Sequence, residues 1–331
     1  MKNFWNQLST PFFALAPMED VTDTVFREIV ARTASSDRLH VVFSEFMSVD
    51  GFLHERGHEQ VKHRLLISKE EKEILNEKGI RIVAQIWGSD PEKFFRSARQ
   101  ISEEYNFDGI DINMGCPVKK IVKHNACSAL IKTPELAVEI IRATAEGSDL
   151  PVSVKTRIGF NEVATESWIR SLLQAEPAAV TIHGRTQKMQ SEGLADWNEV
   201  AKAVKMRDAM NSGTSVLGNG DVQSYEEGLI KAEEYGVDGI MIGRGIFSNP
   251  FIFSSKPESM PAERLSLLRK HLTRFEQVWQ GEKNYAILKR FFKIYIHSFE
   301  GAGELRGRMM ETRNVAEGLE LIQEKSLLAH H

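Results

Sequence analysis

The stretch Gly109-Ile-Asp-Ile-Asn-Met-Gly-Cys-Pro-Val118 reads as a short strand that ends in a tight loop. Ile110 and Ile112 alternate with polar neighbours, as strand residues do. Glycine and proline bracket Cys116 and cannot continue the strand, so the loop holds a thiol at the strand's end. A thiol with an ordinary pKa of about 8.5 is mostly protonated near neutrality and can act as a general acid. Cys116 is therefore the predicted catalytic residue, with simple packing as the alternative for a lone cysteine.

Short apolar runs alternate with segments of helical period along most of the chain, which is typical of repeated strand–helix units. The runs that predict strands are residues 12–16, 41–45, 80–86, 109–113, 152–157, 179–183, 215–219 and 239–242. The segments that predict helices include residues 23–34, 91–105, 134–145, 165–175, 197–205 and 224–234. About eight such units over roughly 250 residues favour a TIM (β/α)8 barrel over a doubly wound sheet. No glycine-rich dinucleotide fingerprint follows the first strand.

The strand pattern stops after Pro250. Helices separated by glycine-rich breaks are predicted over residues 261–281, 284–299 and 304–324. The sequence thus predicts an α/β barrel domain over residues 1–255, followed by a smaller, all-helical C-terminal domain over residues 256–331.

The helical tail is more basic than the rest of the chain. Residues 261–331 carry 12 Lys/Arg and 9 Asp/Glu, a net charge of +3, whereas the whole chain has a net charge of −4. Lys289, Arg290, Lys293 and His297 fall on one face of the predicted middle helix, opposite an apolar stripe. This face is either an ordinary solvated face or a contact for a phosphate backbone.

Composition bears on the cellular compartment of the protein and on metal or membrane binding. Its two cysteines, Cys116 and Cys127, cannot build a disulfide framework and match no four-ligand zinc pattern, which indicates a reducing compartment and no metal. The first ten residues lack a basic segment followed by a long apolar run, and no stretch approaches the roughly 18 apolar residues of a membrane span. We therefore expect a cytoplasmic protein without membrane contact. The sequence is silent on the oligomeric state, for which a monomer is the default expectation.

Polar side chains cluster where the predicted strands end, which is where barrel enzymes hold their reacting groups. In chain order these positions are Pro17-Met18-Glu19-Asp20, Gln85, Asn113 with Cys116, Lys155 with Arg157, His183-Gly-Arg185, Asn219-Gly-Asp221 and Gly243-Arg244-Gly245. Taken singly, Lys155 is more often solvated, His183 structural and Met18 a filler of the core. Because inward barrel positions are usually Val, Ile or Leu and a lone buried charge is costly, polar groups at seven strand ends predict an active site.

The last two of these loops suggest a phosphate site. Glycine-rich turns after strands seven and eight expose backbone N–H groups, and barrels frequently hold a phosphate there. Arg244 can add charge-assisted hydrogen bonds. Gly220 and Gly243 could instead merely permit tight turns, but with Lys155 and His183 at the same mouth a phosphate-bearing cofactor is the better interpretation.

Taken together, these residues resemble the tRNA-dihydrouridine synthases, a family of flavin enzymes with a TIM barrel and a C-terminal helical domain. The resemblance spans nearly the whole chain. It rests on Ala16-Pro-Met-Glu-Asp-Val-Thr-Asp23, Asn113-Met-Gly-Cys-Pro117, Ser128-Ala-Leu-Ile131, Val154-Lys-Thr-Arg157, His183-Gly-Arg-Thr186, Ala195-Asp-Trp197, Gly218-Asn-Gly-Asp221 and Ile242-Gly-Arg-Gly245. None of these motifs would suffice alone, but their combination and order are specific.

The resemblance implies roles for individual residues. The FMN pocket would comprise Ala16, Pro17, Met18, Gln85, Lys155, His183, Asn219, Gly220, Asp221, Gly243 and Arg244, the last group holding the phosphate. NADPH, or NADH, would reduce the flavin, hydride would pass to C6 of a flipped-out tRNA uridine, with the D-loop as the expected region, and Cys116 would protonate C5. By analogy, Asn113 would bond the edge of the uracil, and Arg157 and Arg185 its phosphates.

Two positions depart from the family pattern. Asp20 stands where many members carry glycine, which puts the local turn near the flavin in doubt. Cys127 stands where glycine or alanine is usual, and we interpret it as structural, with redox sensing as a less favoured role.

Two other functions remain open on the sequence. The first is an FMN barrel oxidoreductase that acts on a free pyrimidine, like dihydroorotate dehydrogenase, although such an enzyme has no obvious need for a basic helical tail. The second is a tRNA-binding factor that has lost catalysis, against which the presence of Cys116, Lys155 and His183 counts.

Overall fold

Eight parallel strands close into a barrel in the computed structural model, which describes residues 3–256 and 258–328. The strands are β1 Phe12–Leu15, β2 Val41–Phe43, β3 Met47–Ser48, β4 Arg81–Trp87, β5 Gly109–Met114, β6 Val152–Arg157, β7 Ala179–His183, β8 Ser215–Asn219 and β9 Gly239–Ile242. Closure follows from β1, which pairs with β2 on one side and with β9 on the other. The two-residue β3 continues β2 alongside β4, where Met47 pairs with Ile86, so the barrel proper has eight strands, as predicted.

Helices follow most strands and cover the outside of the barrel. The α-helices are α1 Thr24–Thr33, α2 Val49–Leu53, α3 His58–Val61, α4 Lys69–Lys78, α5 Pro91–Glu104, α6 Lys119–Val122, α7 Pro134–Glu146, α8 Thr165–Leu173, α9 Trp197–Ala209, α10 Tyr225–Tyr235, α11 Pro261–Trp279, α12 Phe292–Tyr295, α13 Ala302–Glu311 and α14 Val315–Leu328. The 3-10 helices are Phe4–Gln7, Lys62–Leu65, Cys127–Lys132, Arg244–Phe247 and Tyr285–Phe291. Several α-helices begin at side-chain caps: Asp23, Ser68, Asp90, Asp196 and Ser224 each accept a backbone N–H bond.

Aromatic side chains close the amino end of the barrel. Phe4 and Trp5, in the first 3-10 helix, stack with 4.8 Å between their ring centroids, and Trp5 lies 5.8 Å from Phe12. These rings pack with inward-facing apolar residues that include Val83 and Leu217. The lower barrel is therefore a filled core, and the site must lie at the carboxyl ends of the strands.

The C-terminal region is helical, as predicted, but its helices are shorter than expected. Residues 284–299 were predicted as one helix and form a 3-10 helix followed by the single-turn α12. Residues 304–324 are divided between α13 and α14. The division lies at Asn314, whose side chain accepts a bond from the N–H of Glu317, while the Glu317 carboxylate accepts bonds from Arg313 N and Asn314 Nδ2. This capping arrangement starts a new helix.

The helical region packs beside the mouth of the barrel through ion pairs. Lys283 pairs with Asp23 at 3.4 Å and with Glu45 at 3.0 Å, and Trp279 Nε1 donates to Asp23 Oδ2. Arg274 pairs with Glu28 at 3.1 Å. The acidic partners all belong to the barrel region, so part of the basic charge of the tail is neutralised within the protein.

The predicted basic face is also partly used inside the protein. Arg290 donates to the carbonyl oxygen of Asp20 at 3.0 Å, and Lys289 donates to that of Met310 at 2.6 Å. Lys293 stays exposed. Within the described residues, no helix is both long and apolar enough to cross a membrane.

Candidate active site

The strand register brings the predicted polar residues to the same end of the barrel. Across neighbouring strands, Gln85 pairs with Asp111, Asn113 with Lys155, Arg157 with His183, and His183 with Asn219. Since side chains alternate between the two faces of a strand, residues two apart on these strands share the inner face. The sequence alone indicated strand ends, and the register shows that they form one ring at the mouth.

A cavity of about 150 Å³ lies within this ring. Ten of the eleven predicted cofactor residues line it, namely Ala16, Pro17, Met18, Lys155, His183, Asn219, Gly220, Asp221, Gly243 and Arg244. Four further lining residues, Val222, Gln223, Met241 and Gly245, were not among the predicted cofactor residues, although Gly245 belongs to the predicted Gly243-Arg244-Gly245 turn. Met241 lies two residues before Gly243, so the alternation of β9 could have identified it, whereas Val222 and Gln223 carry no sequence signal.

Gln85 is the one predicted cofactor residue that does not line this cavity. Its amide is buried and bonds to Asp111 and Asn113 instead. A larger groove of about 860 Å³ runs beside Tyr105 and Trp279, but none of the predicted site residues lines it. The smaller cavity is therefore the candidate site because the strand-end polar groups converge there.

The turn after β8 needs a glycine. Gly220 has a φ of +122°, and a Cβ atom placed there would lie 2.7 Å from Cβ of Ala195. The next residue, Asp221, also has a positive φ, of 55°. Its carboxylate accepts bonds from Arg185 Nη2 at 2.6 and 2.7 Å and lies 3.4 Å from Arg244. Burial would raise the pKa of Asp221, but the bonds from Arg185 and from the backbone N–H of Ala195 outweigh it and lower that pKa.

Several polar atoms at the cavity have no partner among the described residues. Nδ1 of the lining residue His183 is buried without a hydrogen bond, and the ammonium of the lining residue Lys155 makes no hydrogen bond or ion pair within the same residues. Nη1 of Arg185 is also buried without a hydrogen bond among them, but Arg185 does not line the cavity. Buried polar atoms are normally paired, so unpaired ones at a cavity indicate a ligand. With Arg244 beside the Gly220 turn, this set of donors fits a phosphorylated, polar cofactor such as FMN.

Burial sets the protonation of these groups. It lowers the pKa of His183 to about 2, with the charges of Lys155 and Arg157 adding to the effect, so the imidazole is neutral near pH 7. Burial likewise lowers the pKa of Lys155 to about 8, which leaves most of its ammonium charged at neutrality. His183 is thus suited to hydrogen bonding rather than to accepting a proton, and Lys155 is suited to holding an anionic or electron-rich atom.

Cys116 lies half-buried in the loop after β5. Its backbone N–H donates to Asn113 Oδ1 at 3.0 Å, and its carbonyl oxygen accepts a bond from Ser128 Oγ at 2.7 Å. A hydrogen bond with the Cys127 thiol lowers the pKa of Cys116 to about 7, against the opposing effect of burial. Hydrogen bonds thus fix the backbone N–H and C=O of Cys116. Its thiol gains or loses a proton near neutral pH.

The two arginines predicted to contact substrate phosphates already bond to the protein. Arg157 donates from Nε to the carbonyl oxygen of Gly115 at 2.7 Å and from Nη1 to those of Thr186 and Gln190. Arg185 is 2% exposed and donates to Asp221 and to the carbonyl oxygens of Glu192 and Gly193. Both arginines therefore brace loops at the mouth, and their contact with substrate stays a prediction.

The two departures from the family pattern adopt conformations that glycine favours. Asp20 has a φ of 55° and Cys127 a φ of 54°. The backbone N–H of Asp20 donates to Glu45 Oε1 at 2.8 Å, which fixes the turn after β1. Cys127 is fully buried. Both local backbones thus keep a glycine-like shape despite the larger side chains.

Comparison with known proteins identifies the family of the chain that carries this site. A family model described as dihydrouridine synthase matches residues 14–330. The chain belongs to the dihydrouridine synthase family. A probable tRNA-dihydrouridine synthase of Staphylococcus aureus (strain COL) is 43% identical over 326 residues, which are 98% of this chain and 95% of the relative. A probable tRNA-dihydrouridine synthase 2 of Bacillus subtilis (strain 168) is 42% identical over 319 residues, or 96% and 94% of the two chains.

Solved structures share the fold of this dihydrouridine synthase family member. Morphinone reductase matches with a TM-score of 0.51 and 11% identity over 78% of this chain and 90% of that chain. A 2-naphthoyl-CoA reductase matches with a TM-score of 0.53 and 11% identity over 73% and 49% of the two chains. At such identities the likeness concerns the fold alone. The predicted barrel, the predicted family and the oxidoreductase class that the family implies are confirmed.

Proposed function

We propose that this dihydrouridine synthase family member is an FMN-dependent tRNA-dihydrouridine synthase that reduces a uridine of tRNA to 5,6-dihydrouridine. The observation that carries the proposal is the placement of a half-buried thiol, Cys116, at the same barrel mouth as a cavity lined by unpaired cationic and polar groups. The names of the relatives at 43% and 42% identity agree with this activity.

The cavity would hold FMN. Arg244 and the turns at Gly220 and Gly243 would hold its phosphate, and Lys155, His183 and Asn219 would face the rest of the cofactor. Ala16, Pro17, Met18, Asp221 and Gln85 complete the proposed set. When bound, FMN that has been reduced by NADPH, or by NADH, supplies the hydride that C6 of the uracil receives.

The chain itself would supply a proton and a rigid frame. Cys116 would protonate C5 of the uracil from the thiol form. The uridine must leave its stack to reach this depth, because a base inside folded RNA cannot lie beside a group at the barrel mouth. Asn113, Arg157 and Arg185 stay the proposed contacts for its uracil edge and phosphates, using donors that their protein partners leave free.

The helical region would dock the RNA. We propose that residues 1–255 form the catalytic domain and residues 256–331 a tRNA-binding domain. In support, α11 and the segment after it pack beside the mouth through Trp279 and Lys283, and Lys293 keeps its charge exposed nearby in the chain. An RNA held there would lie at the barrel mouth that carries Cys116. A cytoplasmic, metal-free monomer would complete this proposal, and light scattering of the purified protein tests the oligomeric state.

The direct experiment is to incubate the purified protein with FMN, NADPH and unmodified tRNA and to measure dihydrouridine by mass spectrometry of nuclease digests. A free uracil or orotate control runs in parallel. Dihydrouridine in tRNA alone is the expected result, and mapping its position identifies the target. Reduction of the free pyrimidine alone would support a small-substrate oxidoreductase. Tight tRNA binding with no reduced product would support a non-catalytic factor.

A further inference from the structure

A chain of three buried side chains lies directly beneath the Cys116 loop. Nε2 of Gln85 donates to Oδ2 of Asp111 at 2.7 Å, and Nδ2 of Asn113 donates to Oε1 of Gln85 at 3.0 Å. Oδ1 of Asp111 also accepts a bond from Ser153 Oγ at 2.6 Å. Asp111 and Gln85 are fully buried, and Asn113 is 7% exposed.

The chemistry of these groups permits one orientation of the chain. Burial raises the pKa of Asp111 to about 6, so the group is mostly a carboxylate at pH 7. A carboxylate only accepts hydrogen bonds, so Asp111 then requires the NH2 group of Gln85 to face it. The Gln85 carbonyl oxygen must then face Asn113, which requires the NH2 group of Asn113 to point towards Gln85. The carbonyl oxygen of Asn113 is consequently left to face the loop. If the side-chain amide of Gln85 or Asn113 were rotated by 180°, two donors or two acceptors would face each other in the buried interior, which costs free energy.

The end of this chain holds the backbone of the loop. Oδ1 of Asn113 accepts bonds from the N–H groups of Gly115 at 3.1 Å and of Cys116 at 3.0 Å. The family resemblance assigned Asn113 to the uracil edge. Its carbonyl oxygen instead bonds the loop and one N–H bonds Gln85, so a single N–H remains for any substrate.

We propose that Asp111 is a positioning residue, which acts through Gln85 and Asn113 to fix the Cys116 thiol at the place where it donates its proton. This inference rests on the proposed function, since it assigns to Cys116 the role of proton donor. Simple filling of space would not require a carboxylate here, because inward barrel positions are normally aliphatic and a buried carboxylate is costly unless it is hydrogen-bonded, as Asp111 is to Gln85 and Ser153. Asp111 itself lies below the loop and does not line the cavity.

Three variants test the proposal in the FMN-loaded enzyme. Asp111→Ala removes the acceptor that orients Gln85. In Asp111→Asn, the amide oxygen can still accept the bond from Gln85 Nε2. The new NH2 group can donate to the Ser153 hydroxyl, which then accepts a bond instead of donating one. Thr144→Ala is the control: Thr144 is fully buried on α7, and its hydroxyl bonds only to the Ile140 carbonyl oxygen among the described residues.

Two readouts separate positioning from a general loss of structure. The first compares flavin reduction by NADPH with flavin reoxidation by tRNA in stopped flow, because only the second step needs the thiol. The second follows the pH dependence of Cys116 alkylation by iodoacetamide, with the modified peptide identified by mass spectrometry; this readout does not depend on any RNA activity.

We expect Asp111→Ala to slow the tRNA step roughly tenfold to hundredfold, since small displacements of reacting groups have effects of that order. Its NADPH step should stay within about threefold of the wild type, and its alkylation midpoint should rise as the loop loses its contact with Cys127. Asp111→Asn should retain most of the tRNA step, and Thr144→Ala should change neither readout.

Equal slowing of both steps with an unchanged alkylation midpoint would overturn the proposal, as would an Asp111→Asn variant as impaired as Asp111→Ala. If the wild type fails to modify tRNA, the proposed function falls. The alkylation profile then still decides whether Asp111 positions the thiol.

Discussion

The two ends of the barrel interior differ sharply although the same strands build both. At the amino end the inward positions are apolar, as at Val83 on β4 and Leu217 on β8. Two residues further along, the same strands present Gln85 and Asn219. The lower residues fill space against Phe4 and Trp5, which gives a closed floor. On these two strands the barrel interior thus changes from an apolar core to a polar site between one inward residue and the next.

The floor of the barrel contributes mainly to stability, and the mouth contributes mainly to function. Burial of apolar surface at the floor stabilises the folded protein. The mouth buries polar groups, which cost free energy unless they are paired. Most of them are paired, as Asp221 is with Arg185, while His183 Nδ1 is left without a partner among the described residues. Floor variants should therefore alter stability without altering the site, and mouth variants should do the reverse.

The largest effect on stability is expected at the floor. Trp5→Ala should lower the free energy of unfolding by about 3–5 kcal/mol, because Trp5 is 2% exposed and its loss leaves a cavity between Phe4 and Phe12. The folded fraction should still bind FMN with the wild-type dissociation constant. Urea unfolding and flavin titration measure the two quantities.

Trp5→Phe is the matched control. It keeps an aromatic ring and removes an indole N–H that has no partner in the described part of the chain, so its loss of stability should be much smaller. A Trp5→Ala variant that keeps full stability but loses FMN affinity would contradict the division between floor and mouth.

A mouth variant should show the opposite pattern. Lys155→Met removes an ammonium that faces the cofactor cavity, so the FMN dissociation constant should rise roughly tenfold to hundredfold, the value of a charge-assisted hydrogen bond. Burial lowers the pKa of Lys155 to about 8, below that of an unfolded lysine, so its charge costs stability in full at pH values below about 8. The unfolding free energy of the apoprotein at pH 7 should therefore stay equal or rise.

Flavin titration and urea unfolding at pH 7 check this prediction, with the exposed Lys205→Met on α9 as control. Lower stability together with unchanged FMN affinity would show that Lys155 stabilises the barrel and does not bind the cofactor.

The smallest effect should come from the second cysteine. The Cys127 thiol lowers the pKa of Cys116 to about 7, so a general acid at Cys116 loses activity as the pH rises through that value. Cys127→Ala should move this fall in kcat/KM for tRNA to higher pH, whereas Cys127→Ser, which keeps a donor, should move it less. A pH profile identical in all three proteins would exclude control of the Cys116 proton by Cys127.

The sequence was sufficient for the barrel and for most of the site because both depend on local patterns. Strand period and the polar residue types at strand ends predicted a site at the barrel mouth. The family resemblance supplied the eleven cofactor residues, ten of which line one cavity. The Asn314 cap could have been recognised, since a glutamate follows three residues later, but residues 304–324 were predicted as one helix.

Partnerships between distant residues were not predictable. The resemblance assigned Arg157 to a substrate phosphate, yet Arg157 bonds the carbonyl oxygens of Gly115, Thr186 and Gln190, which depends on loop paths in three dimensions. The contact of Cys116 with Cys127 depends on the positive φ of Cys127, and the chain from Asp111 to Asn113 depends on strand register. No short-range pattern specifies these contacts.

The central claim is that Cys116 donates the proton while the rest of the mouth holds cofactor and substrate. It is tested most directly by Cys116→Ala, loaded with FMN, reduced by NADPH and then mixed with unmodified tRNA in a single turnover. The account predicts wild-type flavin content, a wild-type rate of reduction by NADPH and a tRNA step slowed roughly 10²- to 10⁴-fold, the usual contribution of a general acid. A tRNA step at the wild-type rate would contradict it.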